Sequence, residues 1–238
     1  MLVGTTLPQF STDVEGAVAT AVRAEALGLD GVFVFNHLWP IGQPHRPAIE
    51  CFTLLAAIGQ ETRRVRIGPL VARIGLLPDA VLVHTIASLR RQIGDRLIAG
   101  VGAGDRLSAE ENVAYGIEYP PAAERLAAVE TVVRALRADG IETWVGGRSP
   151  AIRRVAAAAA DALNVWDATP AEVTAEGAGV PRITWGGQVD LSALDVDGLT
   201  ASLRGLEAAG ADFAVCAPIN APWDRALEMV AGARDCLN

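Results

Sequence analysis

The residue of this chain best suited to proton transfer is His37, which follows Asn36 and an apolar run at residues 31–35. An imidazole changes its charge near neutral pH, so His37 could take or give a proton beside a reacting carbon. A lone histidine more often only forms hydrogen bonds within its own loop, but the position after a predicted strand favours a catalytic role. His45, in a proline-rich loop, and His84, in a helical segment, lack that position and are predicted to be structural.

A second candidate site is the turn formed by Gly146, Gly147, Arg148 and Ser149, between an apolar run and an alanine-rich helical segment. The two glycines let the backbone approach a ligand, Ser149 can cap the helix, and Pro150 fits the first helical position. Unshared N–H groups and the helix dipole attract an anion there, and Arg148 adds a full charge. The pattern predicts a phosphate site, although the same residues also make a competent turn without a ligand. A P-loop is excluded, because no Gly-Lys-Ser/Thr ending follows.

Glycines alternate in a third segment, at Gly100, Gly102 and Gly104, and the segment ends at Asp105. Its spacing differs from the dinucleotide fingerprint GxGxxG, and no acidic residue about 20 positions further on ends a second strand. Two interpretations stay open. Either the strand exit leaves room for a ring system, with Asp105 near the ligand, or the glycines only ease a tight turn.

Composition narrows the classes of function. The net charge of −8 argues against nucleic acid or an anionic membrane surface as the main partner. The chain contains no lysine, which excludes a Schiff base, and its three cysteines form no CxxC pair and are expected to be reduced thiols. Neither HExxH nor GxSxG occurs, so neither a metal site nor a serine hydrolase is predicted. Among the classes of function considered, redox or isomerase chemistry with a bound cofactor remains.

Targeting and membrane segments are not indicated. The first residues enter an apolar run without a basic leader, and Gly, Pro or charge interrupts every later run. None reaches the roughly 18 to 20 apolar residues that a membrane span needs. We therefore expect a cytoplasmic protein with no membrane partner.

Short apolar runs alternate with segments of helical period along the whole chain, which predicts a (β/α)8 TIM barrel as a single domain over residues 1–238. An open doubly wound sheet is the competing fold, but it usually needs fewer units. The strand candidates are residues 3–7, 31–35, 65–71, 97–101, 143–145, 163–166, 183–186 and 213–217. The helix candidates are residues 14–27, 49–60, 79–92, 122–138, 151–161, 171–176, 199–209 and 223–236.

Ligands of such barrels bind where strands give way to helices. This rule selects few residues as candidates for ligand contact: Pro8 and Gln9, Asn36 and His37, Ala72 and Arg73, residues 102–105 and 146–149, Trp166 and Asp167, Gly187 and Gln188, and Pro218. Trp144, Trp166 and Trp185 lie in or at the ends of consecutive strands, where they could flank a flat heterocycle, although packing of the barrel is their expected role.

In order and spacing, several segments resemble the luciferase-like monooxygenase superfamily, whose members are flavin- or deazaflavin-dependent (β/α)8 barrels. No single segment is specific. The matching segments are residues 24–34 leading into Asn36 and His37, 64–68, 89–104, Tyr115 and Gly116 with residues 124–126 and Glu130, and residues 144–150 leading to Ala160 and Asp161.

The resemblance implies an oxidoreductase that transfers hydride between the deazaflavin coenzyme F420 and a small organic substrate. The turn at Gly146, Gly147, Arg148 and Ser149 would hold the cofactor phosphate, and His37 would face the redox ring. An FMN-dependent monooxygenase or reductase is the nearest alternative, and a non-catalytic barrel that binds a flavin or a partner is another. A homodimer is also implied.

Two further expectations follow from the resemblance. A bulge with a non-prolyl cis peptide at Leu70 and Val71 would press against the ring, so these residues join Asn36, Gly104 and Asp105 as predicted cofactor contacts. The F420 branch usually carries Asp-His after the second strand, whereas this chain has Asn36 and His37, which removes a charge that would orient the imidazole. The resemblance also implies a shortened member, with material missing at residues 137–143 and around the sixth helix.

Overall fold

The computed structural model of the protein describes residues 1–44 and 46–237, so the structural role predicted for His45 lies outside the described residues. Nine strands are found in this part of the chain: β1 Leu2–Thr6, β2 Gly31–Val34, β3 Arg66–Pro69, β4 Ala72–Arg73, β5 Ile98–Gly102, β6 Glu142–Gly146, β7 Ala162–Trp166, β8 Ile183–Asp190 and β9 Ala211–Ile219. The α-helices are α1 Val14–Ala26, α2 Cys51–Glu61, α3 Asp79–Ile93, α4 Ala109–Ala114, α5 Ala122–Ala138, α6 Pro150–Ala159, α7 Pro170–Gly177, α8 Val196–Ala208 and α9 Trp223–Asp235. Gly94–Arg96 and Arg106–Ser108 form short 3₁₀ helices.

The strands form one sheet in the order β3-β2-β1-β9-β8-β7-β6-β5-β4, and each strand pair is parallel. A parallel bridge joins Ile67 of β3 to Leu97, the residue before β5, so the two sides of the sheet meet and the sheet curls into a barrel. The predicted TIM barrel is therefore confirmed.

The third barrel position differs from its prediction. A single strand over residues 65–71 was expected, but the chain leaves the sheet at Leu70 and Val71 and re-enters it at Ala72, which gives two segments, β3 and β4. The peptide bond between Leu70 and Val71 is cis, as the family resemblance implied. The segment before the bulge, β3, pairs with β2, and the segment after it, β4, pairs with β5. The bulge therefore lies where the chain passes from one neighbouring strand to the other.

Aromatic rings fill the interior of the barrel. Phe33 on β2, Trp144 on β6 and Phe213 on β9 are buried, and their ring centroids lie 5.3 to 5.7 Å apart. Fully burying side chains of this size stabilises the fold by roughly 1.5–3 kcal/mol each. Trp185 is also buried and donates from Nε1 to the Ala168 carbonyl at 2.9 Å. The packing role expected for Trp144 and Trp185 is confirmed.

The local signals predicted for the start of α6 are confirmed, whereas one helix was not predicted. Ser149 Oγ accepts the Ile152 N–H at 3.2 Å and Pro150 is the first residue of α6, as expected. Helix α4 was not predicted, because six residues with the sequence Ala-Glu-Glu-Asn-Val-Ala show no apolar period that could mark a helix.

Membrane-spanning helices and clusters of metal-binding side chains are absent from residues 1–44 and 46–237. No helix there is long and apolar enough to cross a membrane. No group of three or more His, Cys, Asp or Glu side chains there could hold a metal ion, and Cys51, Cys216 and Cys236 are free thiols. The single domain expected for residues 1–238 stays a prediction.

Candidate active site

His37 lies just beyond the carboxyl end of β2 and is held by a buried carboxylate. Its Nδ1 lies 2.6 Å from Oε1 of Glu111, and the next backbone N–H, of Leu38, donates to Oε2 of the same carboxylate at 2.9 Å. An ionised carboxylate only accepts hydrogen bonds, so the neutral imidazole carries its proton on Nδ1. Nε2 is then the acceptor of the ring, and the His37 side chain is 21% exposed.

Glu111 on α4 is the centre of this arrangement, and its side chain is only 1% exposed. Burial by itself raises the pKa of the Glu111 carboxyl, but hydrogen bonds from His37 and Leu38 and the charges of His37 and Arg73 lower the pKa overall. The carboxyl is therefore ionised at neutral pH. Asn36 carries no charge that could orient the imidazole of His37. Glu111, from another part of the chain, supplies that charge instead.

Arg73, the last residue of β4, binds the other side of Glu111. Its Nη2 donates to Oε2 of Glu111 at 3.1 Å, while Nη1 donates to the Ser108 carbonyl and to Oδ1 of Asn112, both at 2.8 Å. The side chain is 3% exposed, and burial lowers the pKa of its guanidinium, although the charge of Glu111 opposes this. Within the described chain its buried Nε has no hydrogen-bond acceptor.

Asn36, which was predicted to lie beside the cofactor, forms a hydrogen bond within the protein. Its Oδ1 accepts the backbone N–H of Arg73 at 2.9 Å, and the residue is 6% exposed. This bond ties the exit of β2 to β4 immediately after the bulge. Asn36 therefore positions Arg73 and, through it, Glu111. Whether Asn36 also touches a cofactor stays a prediction.

The glycines at the exits of β5 and β6 make room for a side chain of the protein itself. A Cβ on Gly102 would lie 2.5 Å from Cγ2 of Val71, and a Cβ on Gly146 would lie 2.7 Å from Cγ1 of Val71. Gly104 has a φ of +69°, and a Cβ there would lie 3.0 Å from Cδ of Arg73. The glycine at Gly102 is thus explained by the close approach of Val71, and whether this strand exit also leaves room for a ring system stays a prediction.

Asp105 orders the segment that carries Glu111. Its Oδ1 accepts the Ser108 N–H at 3.0 Å and so caps the 3₁₀ helix that leads into α4. Tyr119 donates its hydroxyl to the Asp105 carbonyl, and the guanidinium of Arg125 lies 4.1 Å above the Tyr119 ring. These contacts explain Asp105 without a ligand, and its proximity to one stays a prediction.

The predicted phosphate turn keeps several backbone N–H groups without an acceptor in the described part of the chain, and its arginine forms an ion pair. The Gly147 N–H donates to the Asn164 carbonyl at 3.0 Å, whereas the N–H groups of Arg148, Ser149 and Ala151 meet no acceptor in the described part of the chain. Arg148 forms an exposed ion pair with Glu172 of α7. Hydrogen bonds from the Thr169 backbone and from Arg148 lower the pKa of Glu172 to about 2, so this pair is charged at any ordinary pH.

The structure brings most of the predicted residues to one end of the barrel. Direct contacts link His37 to Glu111, Glu111 to Arg73, and Arg73 to Asn36. The turn at residues 146–149 belongs to the same edge through Gly146, which faces Val71. Arg148 instead binds Glu172 on the neighbouring unit.

Sequence reasoning missed Glu111, Asn112 and the role of Arg73. Two adjacent glutamates, Glu110 and Glu111, are typical of a solvated helix face, and nothing in their pattern distinguishes the buried one. One signal was available, because Arg73 is a charged residue directly after an apolar strand. A cation at that position needs a buried acceptor, and an acidic residue elsewhere in the chain would supply it.

Sequence comparison gives one family and a set of partial relatives. The model of the luciferase-like monooxygenase family matches residues 3–139, more than half of the chain. An F420-dependent glucose-6-phosphate dehydrogenase of Tsukamurella paurometabola is 36% identical over 134 residues. That match covers 54% of this chain and 37% of the relative, so the chain corresponds to little more than a third of the relative's length.

Solved structures extend the likeness to the whole fold. An F420-dependent secondary alcohol dehydrogenase in complex with an F420–acetone adduct has a TM-score of 0.84 at 15% identity, covering 100% of this chain and 99% of that one. The coenzyme F420-dependent tetrahydromethanopterin reductase of Methanopyrus kandleri has a TM-score of 0.74 at 13% identity, covering 97% and 98% of the two chains. At such low identity the likeness shows a shared fold.

Proposed function

Because the chain belongs to the luciferase-like monooxygenase family, we propose that it is an oxidoreductase that uses coenzyme F420 to oxidise or reduce a small organic substrate. The observation that carries the proposal is the His37–Glu111 pair, an imidazole oriented by a buried carboxylate at the catalytic end of a barrel. The relatives named as F420-dependent dehydrogenases support the choice of cofactor.

The residues present fit a cofactor that combines a flat ring system with a phosphate. The unshared N–H groups of Arg148, Ser149 and Ala151 at the start of α6 suit a phosphate. The apolar bulge at Leu70 and Val71 suits the face of a ring. We therefore propose that these two groups of residues hold the cofactor, with Asn36, Gly104 and Asp105 at the edge of its site.

His37 would handle the proton of the reaction. F420, when bound, supplies a ring carbon that accepts or releases a hydride. When an alcohol is oxidised, Nε2 of His37 would accept its hydroxyl proton, because Nδ1 already donates to Glu111. The charge that develops on the imidazole is then met by Glu111, which lies in a poorly solvated position. In the reverse direction the same nitrogen returns the proton to a carbonyl oxygen.

Cofactor binding is the direct test of this function. Purified protein is titrated with F420 and, separately, with FMN, and fluorescence quenching is measured. We expect F420 to bind at low micromolar concentration and more tightly than FMN. Tighter binding of FMN would favour the FMN-dependent alternative, and binding of neither at high micromolar concentration would contradict the oxidoreductase proposal.

Turnover separates the enzyme from a non-catalytic barrel. Protein that binds F420 is mixed with a panel of small alcohols, and reduction of the cofactor is followed by its absorbance. The alcohol that reacts fastest then serves as the reference substrate. F420 binding without reduction by any alcohol, and without oxidation of reduced F420 by the matching ketones and aldehydes, would support the non-catalytic alternative.

We also propose a homodimer that forms through the face of α1 and α2. A groove of about 680 Å³ lies between these helices, and its lining includes Val14, Val18 and Val22 at helical spacing. Val14 is 44% and Val22 is 40% exposed, so a second copy would bury apolar surface here. Light scattering should give a particle of twice the chain mass. Val22→Glu should reduce that mass to that of a single chain, and Val113→Glu should leave it unchanged.

The cytoplasmic location stays a prediction.

A further inference from the structure

A buried guanidinium behind the His37–Glu111 pair is the feature that the proposed function leaves unused. Arg73 and His37 bind opposite sides of one carboxylate: Nδ1 of His37 meets Oε1 of Glu111, and Nη2 of Arg73 meets Oε2. The side chains of Arg73 and Glu111 are 3% and 1% exposed. Water therefore contributes little to the charge balance of the pair.

The protonation state of His37 makes this second cation necessary. A general base must be neutral before it accepts a proton, and a neutral His37 gives Glu111 no counter-charge. A buried carboxylate without a cation is costly and tends to take up a proton itself. A protonated Glu111 would no longer be restricted to accepting from Nδ1, and the imidazole would lose its fixed orientation.

We infer that Arg73 is a positioning residue of the proposed proton transfer: it is the permanent counter-ion that keeps Glu111 ionised, so that Glu111 holds the Nδ1–H of His37 and leaves Nε2 open to substrate. The inference rests on the proposed function. In the resting site the charges of Arg73 and Glu111 cancel, and the proton taken from substrate adds one positive charge. Glu111 then lies between two cations, which favours return of the proton in the next step.

Arg73 also anchors α4, and this second effect must be separated from its charge. Nη1 holds the Ser108 carbonyl and Oδ1 of Asn112, which are neutral acceptors. The other ionisable groups that act on Arg73 are Tyr119, Asp105 and Arg125, and none of them replaces it at Glu111. Lysine in place of Arg73 keeps the charge but not the forked geometry, whereas glutamine keeps hydrogen bonding but not the charge.

Proton NMR of the protein without cofactor reads the orientation of His37 directly. The Nδ1–H bonded to a carboxylate oxygen at 2.6 Å should give a signal downfield of the amide protons, assigned by its loss in Glu111→Gln and His37→Ala. We expect Arg73→Lys to keep this signal at neutral pH and Arg73→Gln to lose it. An intact signal in Arg73→Gln would overturn the inference. So would equal loss in both variants, because anchoring rather than charge would then explain it.

Steady-state kinetics with F420 and the reference alcohol give a second measurement. Arg73→Gln should lower kcat by about tenfold or more with little change in KM, and Arg73→Lys should recover most of it. Should Arg73→Gln fail to fold, NMR of the wild-type protein still tests the role of Arg73. The Arg73 side-chain N–H signals must move as His37 is titrated, and signals that stay fixed would overturn the inference. Failure to bind F420 while the NMR result holds would remove only the proposed function.

Discussion

Two ion pairs at the carboxyl end of the barrel strands differ in what their charges can do. Arg73–Glu111 is almost fully buried and holds His37, whereas the side chains of Arg148 and Glu172 are 37% and 44% exposed and connect two helix ends. Solvent screens the second pair, so its loss should affect local binding only. The first pair cannot lose one partner without leaving the other charge buried. Burial, rather than residue type, therefore decides which arginine matters for chemistry.

The largest expected effect comes from His37, on the buried side of this comparison. His37→Ala removes the proposed proton acceptor and should lower kcat with F420 and the reference alcohol by about 10² to 10⁴. F420 affinity should change little, because ring and phosphate contacts remain. His84→Ala is the matched control, since His84 is exposed on α3. Unchanged turnover in His37→Ala would end its catalytic assignment.

Glu111→Gln should reduce both activity and stability. The amide keeps the shape of the side chain but leaves the guanidinium of Arg73 buried without a counter-charge, which costs about 3 kcal/mol of unfolding free energy. Turnover should fall by about 10², because Nδ1 loses its charged acceptor. Urea unfolding and steady-state rates measure the two effects. Glu110→Gln changes the exposed neighbour on the same helix and should alter neither. Equal results for the two variants would show that the buried pair is unimportant.

The pH dependence of stability should report the same carboxyl. The pKa of Glu111 is lowered in the folded protein, so its ionised form stabilises the fold above the ordinary value of 4.5, and this contribution is lost as the pH falls through the lowered value. The stability difference between wild type and Glu111→Gln should thus be constant near neutral pH and shrink in acid. Urea unfolding at several pH values checks this. A difference that grows on acidification has the wrong sign.

Local features were accessible from the sequence, and distant contacts were not. Ser149 and Pro150 act within one turn of α6, so their residue types were sufficient to predict the cap. The barrel followed from repeated apolar runs, and the position of the bulge at Leu70 and Val71 came from family resemblance. The bond between His37 and Glu111 spans 74 residues, and it depends on a six-residue helix that has no apolar face to predict.

The same distinction between local and distant contacts explains why the phosphate turn was easier to predict than the ion pair that Arg148 forms. Gly146 to Ser149 form a contiguous pattern, but the partner of Arg148 is Glu172, 24 residues later on another helix. No local rule connects these two positions. The sequence therefore predicted the charge of Arg148 but not its partner Glu172, and it predicted an imidazole without an orienting charge where the structure has a carboxylate.

The smallest expected effect lies on the exposed side of the comparison. Arg148→Ala should weaken F420 binding only several-fold, because the backbone N–H groups of the turn remain and Glu172 already shares the charge of Arg148. Fluorescence titration measures this, with Arg154→Ala, an exposed arginine of α6, as the control. Unchanged affinity would mean that the Arg148 side chain has only a structural role. A loss as large as that of a buried pair would contradict the ranking of the two regions.

A crystal structure of the F420 complex tests the central claim most directly, because it shows the cofactor, His37 and Glu111 together. We expect the ring against Val71, the phosphate at the turn of residues 147–149, and His37 with Nε2 facing the ring while Nδ1 stays on Glu111. A ring bound elsewhere, or an imidazole turned away from Glu111, would contradict it.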